Sequence, residues 1–197
     1  MKIKAILNFL VTCAVLLMIL AACQSDEYIE KIEFNQVYSY KEDDDSQKEA
    51  SFIKFIDDSH YVARLSGYTP EKSFGDGESY EIAFLEGRYK KSNHMIILGE
   101  DFKEVRLTFS SQENLEKKIF KSYYERTKSD KEDGGFYSFE RGKISKIDEV
   151  LQFELQIVTG DTPPKYTYEW IKLKLTDQKL PSSIKEFLSQ YHAEKET

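Results

Sequence analysis

Cysteine is almost absent: the 197 residues contain two, Cys13 and Cys23, and none after position 23. No disulfide can therefore staple the body of the chain, and at about 170 residues it is large enough to bury a single core without one. Histidine is equally scarce, with His60, His94 and His192 in two predicted turns and near the C-terminus, where nothing draws them together. No G-x-S-x-G, P-loop, H-E-x-x-H or C-x-x-C occurs after Cys23. Asp58-Ser59-His60 contains the residue types of a catalytic triad, but neighbours in one turn cannot form a relay whose side chains converge from separate segments. They are expected to serve the turn. Glu42, Asp43, Asp44 and Asp45 form an acidic run without the spacing or the glycine of a Ca²⁺ loop, so a solvated loop is expected and no metal site is assigned. No catalytic residue and no cofactor is assigned either.

What the chain does contain begins with residues 1–22. Lys2 and Lys4 make a positive start, no acid precedes Asp26, and residues 5–20 are apolar apart from Asn8 and Thr12. That is the layout of a secretory leader. Its small residues run directly into a thiol in Leu20-Ala21-Ala22-Cys23. This stretch resembles the lipobox of bacterial lipoproteins of the Gram-positive type: leucine at −3, small residues at −2 and −1, cysteine at +1. Small side chains let a membrane peptidase approach the backbone, and a thiol is needed to carry a thioether-linked diacylglycerol. The resemblance implies that Leu20, Ala21 and Ala22 are the signal-peptidase recognition residues. It also implies that Cys23 is lipidated and becomes the mature N-terminus, on the outer face of the cytoplasmic membrane. Two acyl chains hold a protein durably, whereas one gives reversible binding of roughly 10⁴ per molar. A plain transmembrane helix is the alternative, but the polar Gln24-Ser25-Asp26-Glu27 follows where a stop-transfer segment carries basic residues.

Positive charge is in deficit. The chain has 28 basic and 35 acidic residues; without Lys2 and Lys4 there are 26 against 35, a net charge of −9. This argues against nucleic acid as a partner and against electrostatic adhesion to anionic headgroups, which leaves lipid as the means of attachment. The expected organisation is a leader over 1–22, a short lipid-anchored tether over 23–28 and one extracytoplasmic domain over 29–197.

That domain reads as mainly β. Phe52-Ile53-Lys54-Phe55-Ile56 and Tyr61-Val62-Ala63-Arg64-Leu65 flank the turn-formers Asp57-Asp58-Ser59 as one hairpin. Residues 66–79, with Gly67, Pro70, Gly75 and Gly77, read as a long loop. A second hairpin is expected between residues 80–85 and Arg88-Tyr89, and a third from Lys91 through His94 into Met95-Ile96-Ile97-Leu98. After a Gly99-Glu100-Asp101 turn, Val105, Leu107 and Phe109 alternate as a further strand. Ser110-Ser111-Gln112-Glu113 then reads as a capping box, and Leu115, Ile119 and Tyr123 at helical spacing predict an amphipathic helix to about Thr127. Strands resume at Phe136-Tyr137-Ser138-Phe139 and again with Leu151, Phe153, Leu155 and Ile157 on one side. Beyond Pro163-Pro164, Tyr166, Tyr168 and Trp170 occupy one parity and Ile171, Leu173 and Leu175 the other, read as a bulge or corner between Trp170 and Ile171. Ser183-Ile184-Lys185-Glu186 caps a short C-terminal helix whose apolar stripe is Ile184, Phe187, Leu188 and Tyr191.

The fold class expected is an antiparallel meander forming a barrel-like or strongly twisted sheet, with one internal amphipathic helix and a short C-terminal helix. The meander, and the Gly87-Arg88-Tyr89 step into Met95-Ile96-Ile97-Leu98, resemble the small lipocalin-like lipoproteins of bacteria. The lipocalin G-x-W is absent, because Trp170 is the only tryptophan; a twisted open sheet or β-sandwich is the alternative. Thirteen phenylalanines and thirteen tyrosines supply strand packing, and tyrosine also recurs where a surface meets a partner. Tyr166, Tyr168 and Trp170 are the candidate ligand or partner surface. The expected role is a membrane-anchored, non-enzymatic binding module for a small apolar ligand or an envelope protein. An envelope hydrolase with two carboxylates brought together from separate strands is the alternative.

Overall fold

Alternating apolar residues along two long segments build the centre of the molecule, β4 (Tyr80–Ser92) and β5 (Met95–Phe109), which pair antiparallel across a turn at His94. The computed structural model describes residues 32–41, 46–92, 94–128, 139, 142–159 and 165–194. The expected leader with Leu20, Ala21, Ala22 and Cys23, the expected tether, the acidic run at 42–45 and the expected turn at Pro163-Pro164 lie outside the described residues. Before the central hairpin come β1 (Val37–Tyr40), β2 (Ser51–Phe55) and β3 (His60–Arg64), each antiparallel to its neighbour, so that β1 to β5 form a meander. After it come β6 (Ile119–Phe120), β7 (Ser122–Thr127), β8 (Gly142–Ile147), β9 (Val150–Thr159), β10 (Lys165–Lys172), β11 (Lys174–Thr176) and β12 (His192–Ala193). Among the described residues three short helices, α1 (Pro70–Gly75), α2 (Gln112–Glu116) and α3 (Ile184–Leu188), complete the elements. Among the described residues no helix is long and apolar enough to cross a membrane.

The sheet is a nearly closed barrel, and one segment brings its edges together. β10 pairs with β9, β11 pairs with β1, and Leu173 lies between them with its N–H donating to the Leu151 carbonyl at 2.8 Å. A single run from Lys165 to Thr176 thus contacts both ends of the strand order. The opposite side forks: β5 pairs with β8 over Met95–Leu98 and with β7 over Lys103–Thr108.

Burial follows strand parity. Inside the barrel, Tyr40, Phe55, Tyr61, Leu85, Tyr89, Phe139 and Phe153 pack as one cluster, with Phe139 5.1 Å from Tyr40 and 5.0 Å from Phe153 between ring centroids. The outer face of β3 to β5 is apolar as well, through Val62, Tyr80, Ile82, Phe84, Val105, Leu107 and Phe109. α3 covers it, its Phe187 stacked on Phe84 at 4.7 Å. Ser183 caps α3 through its Oγ, which accepts from the Glu186 N–H at 3.1 Å, as the sequence pattern requires. Lys54, almost fully buried, holds the approach to α3 by donating to the Leu180 carbonyl and, at 3.1 Å, to Ser182 Oγ.

Several local expectations are corrected. The hairpin expected between residues 80–85 and Arg88-Tyr89 does not form; β4 runs unbroken through Gly87. Gly87 lies directly opposite Tyr61, and a Cβ there would sit 2.7 Å from the tyrosine ring, so this glycine makes room for an aromatic rather than for a turn. The Gly99-Glu100-Asp101 turn is a bulge: the register passes from Arg88↔Asp101 to Tyr89↔Leu98, leaving Gly99 (φ +73°) and Glu100 unmatched. The internal amphipathic helix exists as α2 but ends at Glu116, with Ser111 rather than Ser110 as its cap, and Lys118 (φ +57°) leads into β6 and β7. The unpaired edge of β5 supplies a ladder for residues 122–127 that an isolated helix cannot match, and Tyr123-Tyr124 suit a strand. Residues 66–79 are not wholly loop, because α1 forms with Thr69 as its cap and Pro70 at its first position. Phe139 is in a turn, not a strand, and residues 136–138 lie outside the described residues. No bulge separates Trp170 from Ile171: the β9–β10 register is continuous there, and the chain changes partner three residues after Trp170, at Leu173.

Gly87→Ala is expected to cost about 1–3 kcal/mol, because the added methyl forces the Tyr61 ring off its site in a packed interior. A urea unfolding curve checks this. An unchanged midpoint would mean that the ring moves aside freely.

Candidate functional site

β8 pairs with β9 only over Val150–Phe153, so the β9–β10 ladder from Glu154 onward has no third strand among the described residues. Residues 165–170 of β10 are exposed on both faces. Tyr166, Tyr168 and Trp170, the surface expected from sequence, all lie here on one face, and they are 52%, 59% and 37% exposed. Their cross-strand neighbours are Val158, Gln156 and Glu154, and Lys143 pairs with Glu154 at 2.9 Å behind the tryptophan. Ile171 and Leu173, on the other parity, turn inward against the barrel cluster. The segment is therefore anchored at its base by Ile171 and Leu173 and presents three aromatic rings beside a strand edge that no other described strand pairs. Aromatic anchors beside open backbone donors and acceptors are what strand addition uses: main-chain bonds give affinity and side chains give specificity.

A second feature was not picked out from the sequence. On the outer face of β4 and β5 the apolar series stops, at Phe84 on one strand and Val105 on the other, and charged residues follow: Glu86, Arg88, Asp101 and Lys103. With His60 and Lys185 they line an open cleft of about 690 Å³ beside α3. Part of this charge is already committed to structure. Glu86 accepts the Ile184 N–H at 2.9 Å, tying α3 to the sheet, and Lys103 pairs with Glu125 at 2.8 Å. The change from apolar to charged on a single parity marks where the covering helix ends, and that alternation was the signal available beforehand.

The Asp57–His60 turn is held locally. Asp57 Oδ1 accepts the N–H groups of Ser59 at 2.8 Å and His60 at 2.9 Å, and the His60 ring nitrogen Nδ1 lies 2.9 Å away. The Ser59 N–H foremost, with His60, holds the Asp57 carboxyl at about 2. Asp58 faces away and pairs with Lys91 at 2.9 Å. Asp58, Ser59 and His60 thus make a turn, as expected. His94 occupies the β4–β5 turn and His192 the exposed β12. Among the described residues no three His, Cys, Asp or Glu side chains gather where they could hold a metal ion.

One carboxylate is deeply buried. Glu104, with no exposed surface, accepts from Arg106 Nε at 2.5 Å and from Arg126 Nη2, and the Arg126 guanidinium lies 5.7 Å from the centre of the Phe102 ring. Enclosed by two arginines, it is a structural group. No family model matches the chain, and no curated protein and no solved structure matches it, so the functional reading rests on the sequence and on this geometry.

Proposed function

We propose that this chain is a lipid-anchored lipoprotein of the bacterial envelope, held on the outer face of the cytoplasmic membrane through Cys23. In this reading it acts as a non-enzymatic binding module whose partner is an envelope protein. The lipobox-like Leu20-Ala21-Ala22-Cys23 supports the anchor. The observation that carries the binding role is the projecting β9–β10 segment with Tyr166, Tyr168 and Trp170 exposed. The space where a barrel would hold a small apolar ligand is occupied by Tyr40, Tyr61, Phe139 and Phe153, which favours a protein partner over that ligand.

The test uses the full chain in its host. Cys23→Ser is expected to move the protein out of the membrane fraction. Tyr166→Ala/Tyr168→Ala/Trp170→Ala, with Cys23 intact, is expected to stay on the membrane and keep its melting temperature while losing its cross-linked partner. A small molecule retained by the wild-type chain in native mass spectrometry, with the triple variant's cross-links unchanged, would overturn the protein-partner reading.

A further inference from the structure

We propose that the occupant of the β10 edge is a second copy of this chain, joined antiparallel about a two-fold axis through Thr167. This rests on reading the β9–β10 segment as a protein-binding surface and names the partner.

Symmetry restricts how two copies of β10 can pair. Two identical strands side by side and antiparallel are related by a two-fold axis normal to the sheet, and such an axis keeps each face on its own side. Residues that oppose each other must then share a parity. For β10 this leaves registers centred on a residue. Centred on Thr167, the run Lys165-Tyr166-Thr167-Tyr168-Glu169 is complementary to itself. Lys165 of each copy meets Glu169 of the other, each Tyr166 meets Tyr168, and Thr167 meets Thr167. Opposite charges, aromatic pairs and paired threonines are the cross-strand combinations that stabilise an antiparallel ladder. Centring on Tyr168 instead sets Lys165 against Ile171 and Glu169 against Thr167, with no charge pairing. No other centre within β10 brings Lys165 or Lys172 opposite Glu169.

The fold makes this edge available. All five residues from Lys165 to Glu169 are exposed, β9 occupies one edge of β10, and among the described residues no strand occupies the other. Pairing continues the β9–β10 ladder into a four-stranded ribbon shared by two copies. It places Tyr166, Tyr168 and Trp170 of both on one continuous face.

Disulfide trapping in membranes of cells expressing the full chain tests the register. The body has no cysteine of its own after Cys23, so Thr167→Cys introduces a unique thiol. On oxidation it is expected to give a dimer of twice the chain mass. Lys165→Cys alone is expected to give none, since two copies of that position stand about 13 Å apart along the ladder, and a disulfide requires Cα atoms within about 7 Å. In the Thr167→Cys background, Lys165→Glu and Glu169→Lys should each lower the dimer yield roughly tenfold, and the two together should restore it. Equal trapping at positions 165 and 167, no trapping at 167, or no restoration by the double exchange would overturn the proposal. An adduct at 167 with a different protein would overturn it too, while leaving the envelope-protein reading intact.

Discussion

Glu104→Ala is expected to destabilise the body by about 3–5 kcal/mol, since truncating one member of a buried ion pair leaves the other charge in a low-dielectric site without its counter-ion. Glu104 and Arg126 lie directly opposite one another on β5 and β7; the first has no exposed surface and the second 5%. Water can replace the carboxylate at Arg106, a third of which is exposed, but not at the buried Arg126. For a domain of this size the change corresponds to a drop of roughly 6–20 °C in melting temperature. The companion double variant discriminates the cause. Glu104→Leu/Arg126→Met removes both charges and fills the space with apolar atoms, and it is expected to be near neutral, because the desolvation cost disappears together with the attraction. Paired chemical-denaturation curves for the two variants check this. A loss below about 1 kcal/mol in Glu104→Ala would show that solvent reaches the site. A double variant as damaged as the single one would show that packing, not charge, dominates there.

Phe139→Ala is expected to cost a similar amount, about 3–5 kcal/mol, and to change what the protein can bind. Phe139 is fully buried, its ring packs against both Tyr40 and Phe153, which also stack on each other at 5.2 Å, and its carbonyl accepts from Tyr61 Oη at 2.6 Å. Truncation removes transfer energy and leaves a void beside the Tyr40 and Phe153 rings, which already brace each other by stacking. An apolar void of that kind stays dry and accepts a small aromatic molecule. Saturating benzene is therefore expected to raise the melting temperature of Phe139→Ala and to leave that of the wild type unchanged. A wild-type protein stabilised equally by benzene would mean that its barrel already offers space, and the small-ligand reading would replace the protein-partner one. The two variants thus separate two uses of the interior: a charge pair at the β5–β7 fork and an aromatic plug inside the barrel.

Much of the strand content was legible because alternation is a local signal. Phe52 to Ile56 against Tyr61 to Leu65, and Val105, Leu107 and Phe109, each satisfy one buried face from their own sequence. Tyr166, Tyr168 and Trp170, singled out through their single parity, lie exposed on one face of β10. The α2 region shows the limit of the same method. Leu115, Ile119 and Tyr123 fit a helical period, and only the open edge of β5 decided that residues 122–127 join a sheet. Gly87 and Gly99 looked like turns for the same reason: the sequence marks a residue without a side chain, and the neighbour that needs the room is far away in the chain. For Gly87 that neighbour is Tyr61.

Local pattern by itself determined the mainly β character, the hairpin between β2 and β3 and the Ser183 cap of α3. Each depends on residues within a few positions of one another, where backbone geometry and side-chain size act directly. The tertiary structure alone decided that β5 forks, that Lys165–Thr176 bridges β9 and β1, that Glu104 meets two arginines, and that no other described strand takes the second edge of β10. Those outcomes depend on which distant segments fill each other's unpaired backbone and empty volume, and no single stretch of sequence carries that information.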